Sequence, residues 1–190
     1  MSISNSSITE NGFKCCFTGY RPSKIPFSLD REDSEYKKFE NALFEELINL
    51  ANNGCYTFYS GMAMGFDIIA AEAVLLLKRA YPDLPIKLIC VIPFPEQGDT
   101  FTSVWKKRYF EVLNKCDRKI ILSDTYFSGC YQKRNVYMVD NCDYVLTWYD
   151  GKAGGTRNTL DYAASKQRYI FNINKAGADN FAVQTSFEIM

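Results

Sequence analysis

Histidine is missing altogether from this chain of 190 residues. Its absence removes the commonest general base near neutral pH, every serine–histidine or cysteine–histidine nucleophile pair, and most catalytic metal sites. Net charge is missing too, because 22 lysines and arginines balance 22 aspartates and glutamates. A chain with no overall positive field does not draw nucleic acid from a distance, which argues against such a partner and leaves only a local basic patch. No apolar run reaches membrane-spanning length; the longest is broken by Glu72 and followed by Lys78-Arg79. Residues 2–11 are polar, with no basic stretch ahead of an apolar core, so the expectation is a cytoplasmic chain without a secretory leader.

Paired cysteine spacing is also absent. The seven cysteines (15, 16, 55, 90, 116, 130 and 142) are odd in number and include no Cys-x-x-Cys. With no histidine beside them, no metal site is expected. Several fall inside apolar strand-like runs, where a reduced thiol behaves as a small hydrophobe. Any chemistry must therefore use carboxylates, arginine, tyrosine or backbone dipoles, and no cofactor is required by the composition.

What is present is a good core. Apolar residues make up 47% of the chain and aromatics 15%, enough for one folded domain. Strand-like and helix-like patterns alternate along it. Strands are expected at Lys14–Thr18, Tyr56–Ser60, Lys87–Ile92, Lys119–Leu122, Tyr144–Trp148 and Tyr169–Ile173. The first intervening helix is capped by Asp33 or Ser34 and carries Phe39, Leu43, Leu47 and Leu50 on one face. Further helices are expected near 66–81, 104–114, 130–141 and 156–166. This order predicts an α/β fold: a Rossmann-like, open, mostly parallel sheet with helices on both faces. The single domain spans 13–175, between an N-terminal tail, 1–12, and a C-terminal tail, 176–190.

In such a sheet ligands bind beyond the carboxyl ends of the strands. Three loops there carry unusual residues: Thr18-Gly19-Tyr20-Arg21-Pro22, Ser60-Gly61-Met62-Ala63-Met64-Gly65-Phe66-Asp67, and Asp150-Gly151-Lys152-Ala153-Gly154-Gly155-Thr156. The second and third open helices, whose free N–H groups and dipole favour phosphate. The second has the spacing of neither the dinucleotide fingerprint nor the P-loop. Gly65 is expected to let phosphate approach the backbone, so that a side chain there obstructs the ligand. Asp67 suits either helix-dipole matching or a ribose hydroxyl. Arg21, Arg134 and Arg157 are candidate phosphate contacts, Arg21 foremost, and Asn135 can read a base or ribose edge. Trp105, Trp148 and Tyr149 are candidates for stacking on a base, with core burial the favoured fate of Trp148.

These segments, together with Arg134-Asn135-Val136-Tyr137-Met138-Val139-Asp140, resemble the SLOG superfamily, which joins DprA/Smf-type DNA-processing proteins with LOG phosphoribohydrolases. The likeness covers nearly all of 13–175 and is strongest to the YpsA-like branch. It implies a small nucleotide-derived ligand such as ADP-ribose, an NAD derivative or a nucleotide phosphate, held without a permanent cofactor. The implied ligand set is Thr18, Gly19, Arg21, Ser60, Gly61, Met62, Gly65, Asp67, Arg134, Asn135, Gly154, Gly155 and Thr156. A homodimer is compatible with the resemblance and with the aromatic content.

Two positions depart from the better-known relatives. Met64 stands where DprA-type proteins carry arginine, which weakens single-stranded DNA binding as a reading. Thr159 stands where LOG enzymes carry the glutamate that assists N-glycosidic cleavage. The leading expectation is thus a ligand-binding protein. The alternative is a nucleotide N-glycosidic hydrolase using Asp67 or Asp140 in place of that glutamate.

Overall fold

In the computed structural model, residues 12–174 are described; the two expected tails fall almost wholly outside them. Strand β1 (Phe13–Gly19) leads through a short 3-10 turn to α1 (Ser34–Asn52), β2 (Cys55–Ser60) and α2 (Phe66–Ala80). There follow β3 (Lys87–Ile92), α3 (Ser103–Leu113), β4 (Arg118–Ile121), α4 (Cys130–Asp140), β5 (Tyr144–Trp148), α5 (Gly155–Ser165) and β6 (Tyr169–Asn172).

All five strand pairings are parallel, in the order β4-β3-β2-β1-β5-β6. The chain therefore walks outward from β1 to β4, then returns to the other side of β1. Right-handed crossovers put α1, α2 and α3 on one face and α4 and α5 on the other, which matches the helices that pack side by side. The reversal falls between β1 and β5.

The local reasons are plain in the sequence. Asp33 caps α1 by accepting hydrogen bonds from the Glu35 and Tyr36 N–H groups at 2.9 and 3.1 Å. Phe39, Leu43, Leu47 and Leu50 of α1 are all buried, each contributing about 2 kcal/mol of apolar burial. In β3 everything after Lys87 is buried, and β5 is buried throughout, as strands covered on both faces require. The outer strand β4 shows Arg118 and Lys119 to solvent, and charge on an edge discourages further pairing.

The cysteines are all free. Six are buried and Cys116 is half-buried. Among the described residues no cluster suits a metal ion, and no helix is long and apolar enough to cross a membrane.

Candidate functional site

Strands β1 and β5 stay in register to Gly19 opposite Trp148, so the loops leaving them start side by side at the point of reversal. Helix N-termini hold the β1 loop from two directions. The Phe66 N–H, at the start of α2, donates to the Tyr20 carbonyl at 3.1 Å. Thr156, in the first turn of α5, donates its hydroxyl to the Gly19 carbonyl at 3.1 Å. Between them opens a cleft of about 210 Å³.

Nine of the thirteen expected ligand residues line that cleft: Thr18, Gly19, Arg21, Asp67, Arg134, Asn135, Gly154, Gly155 and Thr156. The other four stand behind it. The Ser60 hydroxyl donates to the Asp67 carbonyl at 2.9 Å and accepts from the Met62 N–H at 3.1 Å. Met62 is wholly buried and takes a positive φ of 56°.

Gly61 leaves room for the Arg134 guanidinium, which a Cβ there would meet at 2.1 Å. Gly65, at φ +94°, passes so close to the β1 loop that a Cβ would lie 2.3 Å from the Tyr20 carbonyl oxygen. The close approach that demands glycine at 65 is to this chain's own backbone.

Arg134 organises the floor. Its side chain is buried and donates to the Gly61 carbonyl, to the Asn135 side-chain oxygen at 2.8 Å, and faces Asp67 at 3.8 Å. Burial pushes the Asp67 carboxyl above the usual carboxylate range, against the opposing pull of Arg134 and the Ala63 N–H. Burial likewise lowers Arg134, with Asp67 resisting. The Asn135 amide donates to Thr159 at 2.8 Å, and the Thr159 hydroxyl donates to the Gly155 carbonyl at 2.9 Å. Thr159 thus links α4 to the first turn of α5.

The wall is cationic. Arg21 and Lys24 both line the cleft, and neither forms a salt bridge among the described residues, Arg21 acting on Asp67 only at longer range. The Lys24 ammonium sits over the start of α5, 3.2 Å from where a Cβ on Gly154 would be. No side chain caps α5, and the space over Gly155 is open. Gly155 and Thr156, the first residues of α5, line the cleft, and a helix start leaves such N–H groups without intrahelical partners.

Asp140 lies elsewhere. It ends α4, exposed, bound to the Tyr162 hydroxyl at 2.9 Å and near Lys166 at 3.9 Å. Six residues beyond Arg134, it is about 9 Å farther along the helix axis. Arg157 turns to Asp161 at 2.8 Å rather than to the cleft. The three expected stacking residues are all buried, Trp105 beneath Arg108 at 4.3 Å.

Sequence reasoning missed Lys24, Tyr131 and Gln97. Lys24 is one turn from Arg21, and Tyr131 three residues before Arg134, so both share a side with recognised residues. Gln97, buried, donates to the Gly61 and Met62 carbonyls at 3.2 and 2.7 Å; nothing in its neighbourhood signals this.

A parallel sheet that reverses between β1 and β5, with its cleft at the reversal, defines an α/β domain of the Rossmann-like class. The chain belongs to the YspA SLOG family, whose model matches residues 15–176. It is 38% identical over 141 residues to the uncharacterized SPbeta prophage-derived protein YoqJ of Bacillus subtilis (strain 168), covering 68% of this chain and 79% of that protein. It is 27% identical over 153 residues to UPF0398 protein YpsA of the same organism, covering 80% and 83%.

Two solved structures share the fold. DNA processing protein A from Helicobacter pylori, studied for its single-stranded DNA binding, aligns with a TM-score of 0.56 at 20% identity, over 90% of this chain and 69% of that one. DprA from Streptococcus pneumoniae aligns at 0.57 with 18% identity, over 88% of this chain. The chain spans about half the length of the latter, 54%.

Proposed function

We propose that this protein binds a phosphate-bearing, nucleotide-derived ligand, of the kind represented by ADP-ribose, NAD derivatives and nucleotide phosphates, in the cleft between the β1 and β5 loops. One observation carries the reading: Arg21 and Lys24, neither of which forms a salt bridge among the described residues, line the cleft together with the uncapped glycine start of α5, Lys24 directly over Gly154. Two cations and a helix N-terminus around one small space favour an anion, and the preformed N–H groups cost no reorganisation on binding. The buried Asp67 carboxyl, which lines the same cleft, suits a ribose hydroxyl. Isothermal titration with ADP-ribose, NAD and AMP tests this; the expected outcome is saturable binding of at least one. Absence of heat with all three at millimolar concentration overturns it.

A second reading, N-glycosidic hydrolysis, draws support from Asp67 alone. It is a carboxyl on the cleft wall whose affinity for protons is raised by burial, as general acid–base work requires. Release of free base from AMP, abolished in Asp67→Asn, is its signature; no release overturns it. The DNA-processing likeness is one of fold. The zero net charge and the small size of the cleft favour a small ligand over a nucleic-acid strand.

A further inference from the structure

At 210 Å³ the cleft falls below the roughly 300–1,000 Å³ of sites that engulf a ligand of drug size. If it holds a phosphate over α5, only the sugar–phosphate part of a nucleotide fits inside, and the base must emerge at the rim. The rim residues are Arg21 on the β1 loop and Tyr131 in the first turn of α4. The Arg21 guanidinium carbon lies over the Tyr131 ring, 5.9 Å from its centroid.

That spacing is too long for close stacking and slightly too short for an intervening plane. A planar base placed between them needs two van der Waals separations of about 3.5 Å each, or about 7 Å. Arg21, exposed and in no salt bridge among the described residues, has to withdraw by about 1 Å to admit it. Tyr131 is the firmer jaw, because Phe94, itself buried, presses against it edge-to-face at 5.9 Å. Tyr126 packs on the other side of Phe94 at 5.4 Å and extends this aromatic ledge into solvent.

We propose that Arg21 and Tyr131 form a clamp that sandwiches the base of the ligand, so that this site takes nucleotides in preference to bare sugar phosphates. The inference rests on the proposed phosphate cleft and adds the part of the ligand that the cleft leaves out. An aromatic face and a guanidinium plane suit any base, since each presents a π-face to the ring and to the cation. Selection among bases is not built into the pair.

The test compares AMP with ribose 5-phosphate by titration calorimetry on wild type, Tyr131→Leu and Tyr131→Phe, with 1,N6-etheno-AMP fluorescence as a second readout. Wild type is expected to bind AMP at least tenfold more tightly than ribose 5-phosphate and to quench the etheno fluorescence. Tyr131→Leu should bring AMP down to the ribose 5-phosphate level and abolish quenching, with ribose 5-phosphate unaffected; Tyr131→Phe should keep the wild-type preference. The exposed Val104→Ala on α3, outside the cleft lining, serves as a folded control with at most a twofold change.

Equal affinities for the two ligands in wild type overturn the clamp and leave the phosphate cleft standing. A Tyr131→Leu protein that loses both ligands alike, or that still quenches, also overturns it. Failure of both ligands to bind wild type overturns the clamp, and the cleft reading with it where ADP-ribose and NAD also fail.

Discussion

Gly65 and Tyr20 touch backbone to backbone: the Phe66 N–H bonds the Tyr20 carbonyl at 3.1 Å, and a Cβ on Gly65 would sit 2.3 Å from that same oxygen. Two loops that look independent in sequence are thereby one structural unit. The glycine that most resembles a phosphate-loop residue is explained by this crossing.

The first expected outcome follows from that contact. Gly65→Val combines an unfavourable positive φ with a collision against backbone, so it should destabilise the fold by about 2 kcal/mol or more. Urea denaturation of the variant measures it; a midpoint equal to wild type would contradict the close packing.

Gly155 is the opposite case. It lines the cleft, and a Cβ there meets nothing within 4 Å. Gly155→Val should leave the thermal midpoint nearly unchanged while weakening AMP or ADP-ribose at least tenfold, which is about 1.4 kcal/mol. A folded variant with wild-type affinity would remove the start of α5 from the ligand site.

Arg134 and Asp67 are both buried, facing each other at 3.8 Å. Arg134→Leu strands the Asp67 carboxyl and leaves the Gly61 carbonyl to Gln97 alone, an expected loss of about 3–5 kcal/mol. Adding Asp67→Asn removes the stranded charge, so the double variant should recover part of that loss. Additive losses in a double-mutant cycle would show that the two residues are uncoupled.

Tyr20 donates its hydroxyl to Asp150, and burial first, then that carboxylate, pushes its pKa up to about 12. The unfolded chain releases this proton near pH 10 while the folded one keeps it. Stability from this group is therefore complete below pH 10 and falls as pH rises toward 12. Urea midpoints across that window should decline, less steeply in Tyr20→Phe. Identical slopes would show that the Tyr20–Asp150 bond does not persist in solution. Tyr36 and Tyr144, also raised to about 12, add to the wild-type decline.

The fold was legible because strand and helix periods alternate cleanly. The Asp33 cap and the Phe39, Leu43, Leu47 and Leu50 face set α1, and the unbroken apolar run of β3 marked a doubly covered strand. The strand order was not readable, since nothing local says that β5 returns beside β1. In the site, the residues that line the cleft were named by their loops: Gly19 and Arg21 after β1, Gly154 to Thr156 after β5.

An unusual loop residue can also serve the chain's own packing. Gly61 serves Arg134, Gly65 serves Tyr20, and Asp140 lies at the far end of its helix; these are long-range relations that no spacing rule carries. Tyr131 escaped notice for the converse reason, since one tyrosine among 13 has no mark until Arg21 is seen over it.

The central position of β1 has a consequence for how the chain is made. Phe13–Gly19 leaves the ribosome before the other described strands, yet one of its edges stays unpaired until Tyr144–Trp148 emerges about 125 residues later. At translation rates of about 5–20 residues per second, that edge waits roughly 6–25 seconds. Its residues include Cys15, Cys16 and Phe17, all apolar and destined for the interior. During that interval the nascent chain presents an open, sticky strand. Its yield in the cell should therefore depend on ribosome-associated chaperones more than its final stability suggests.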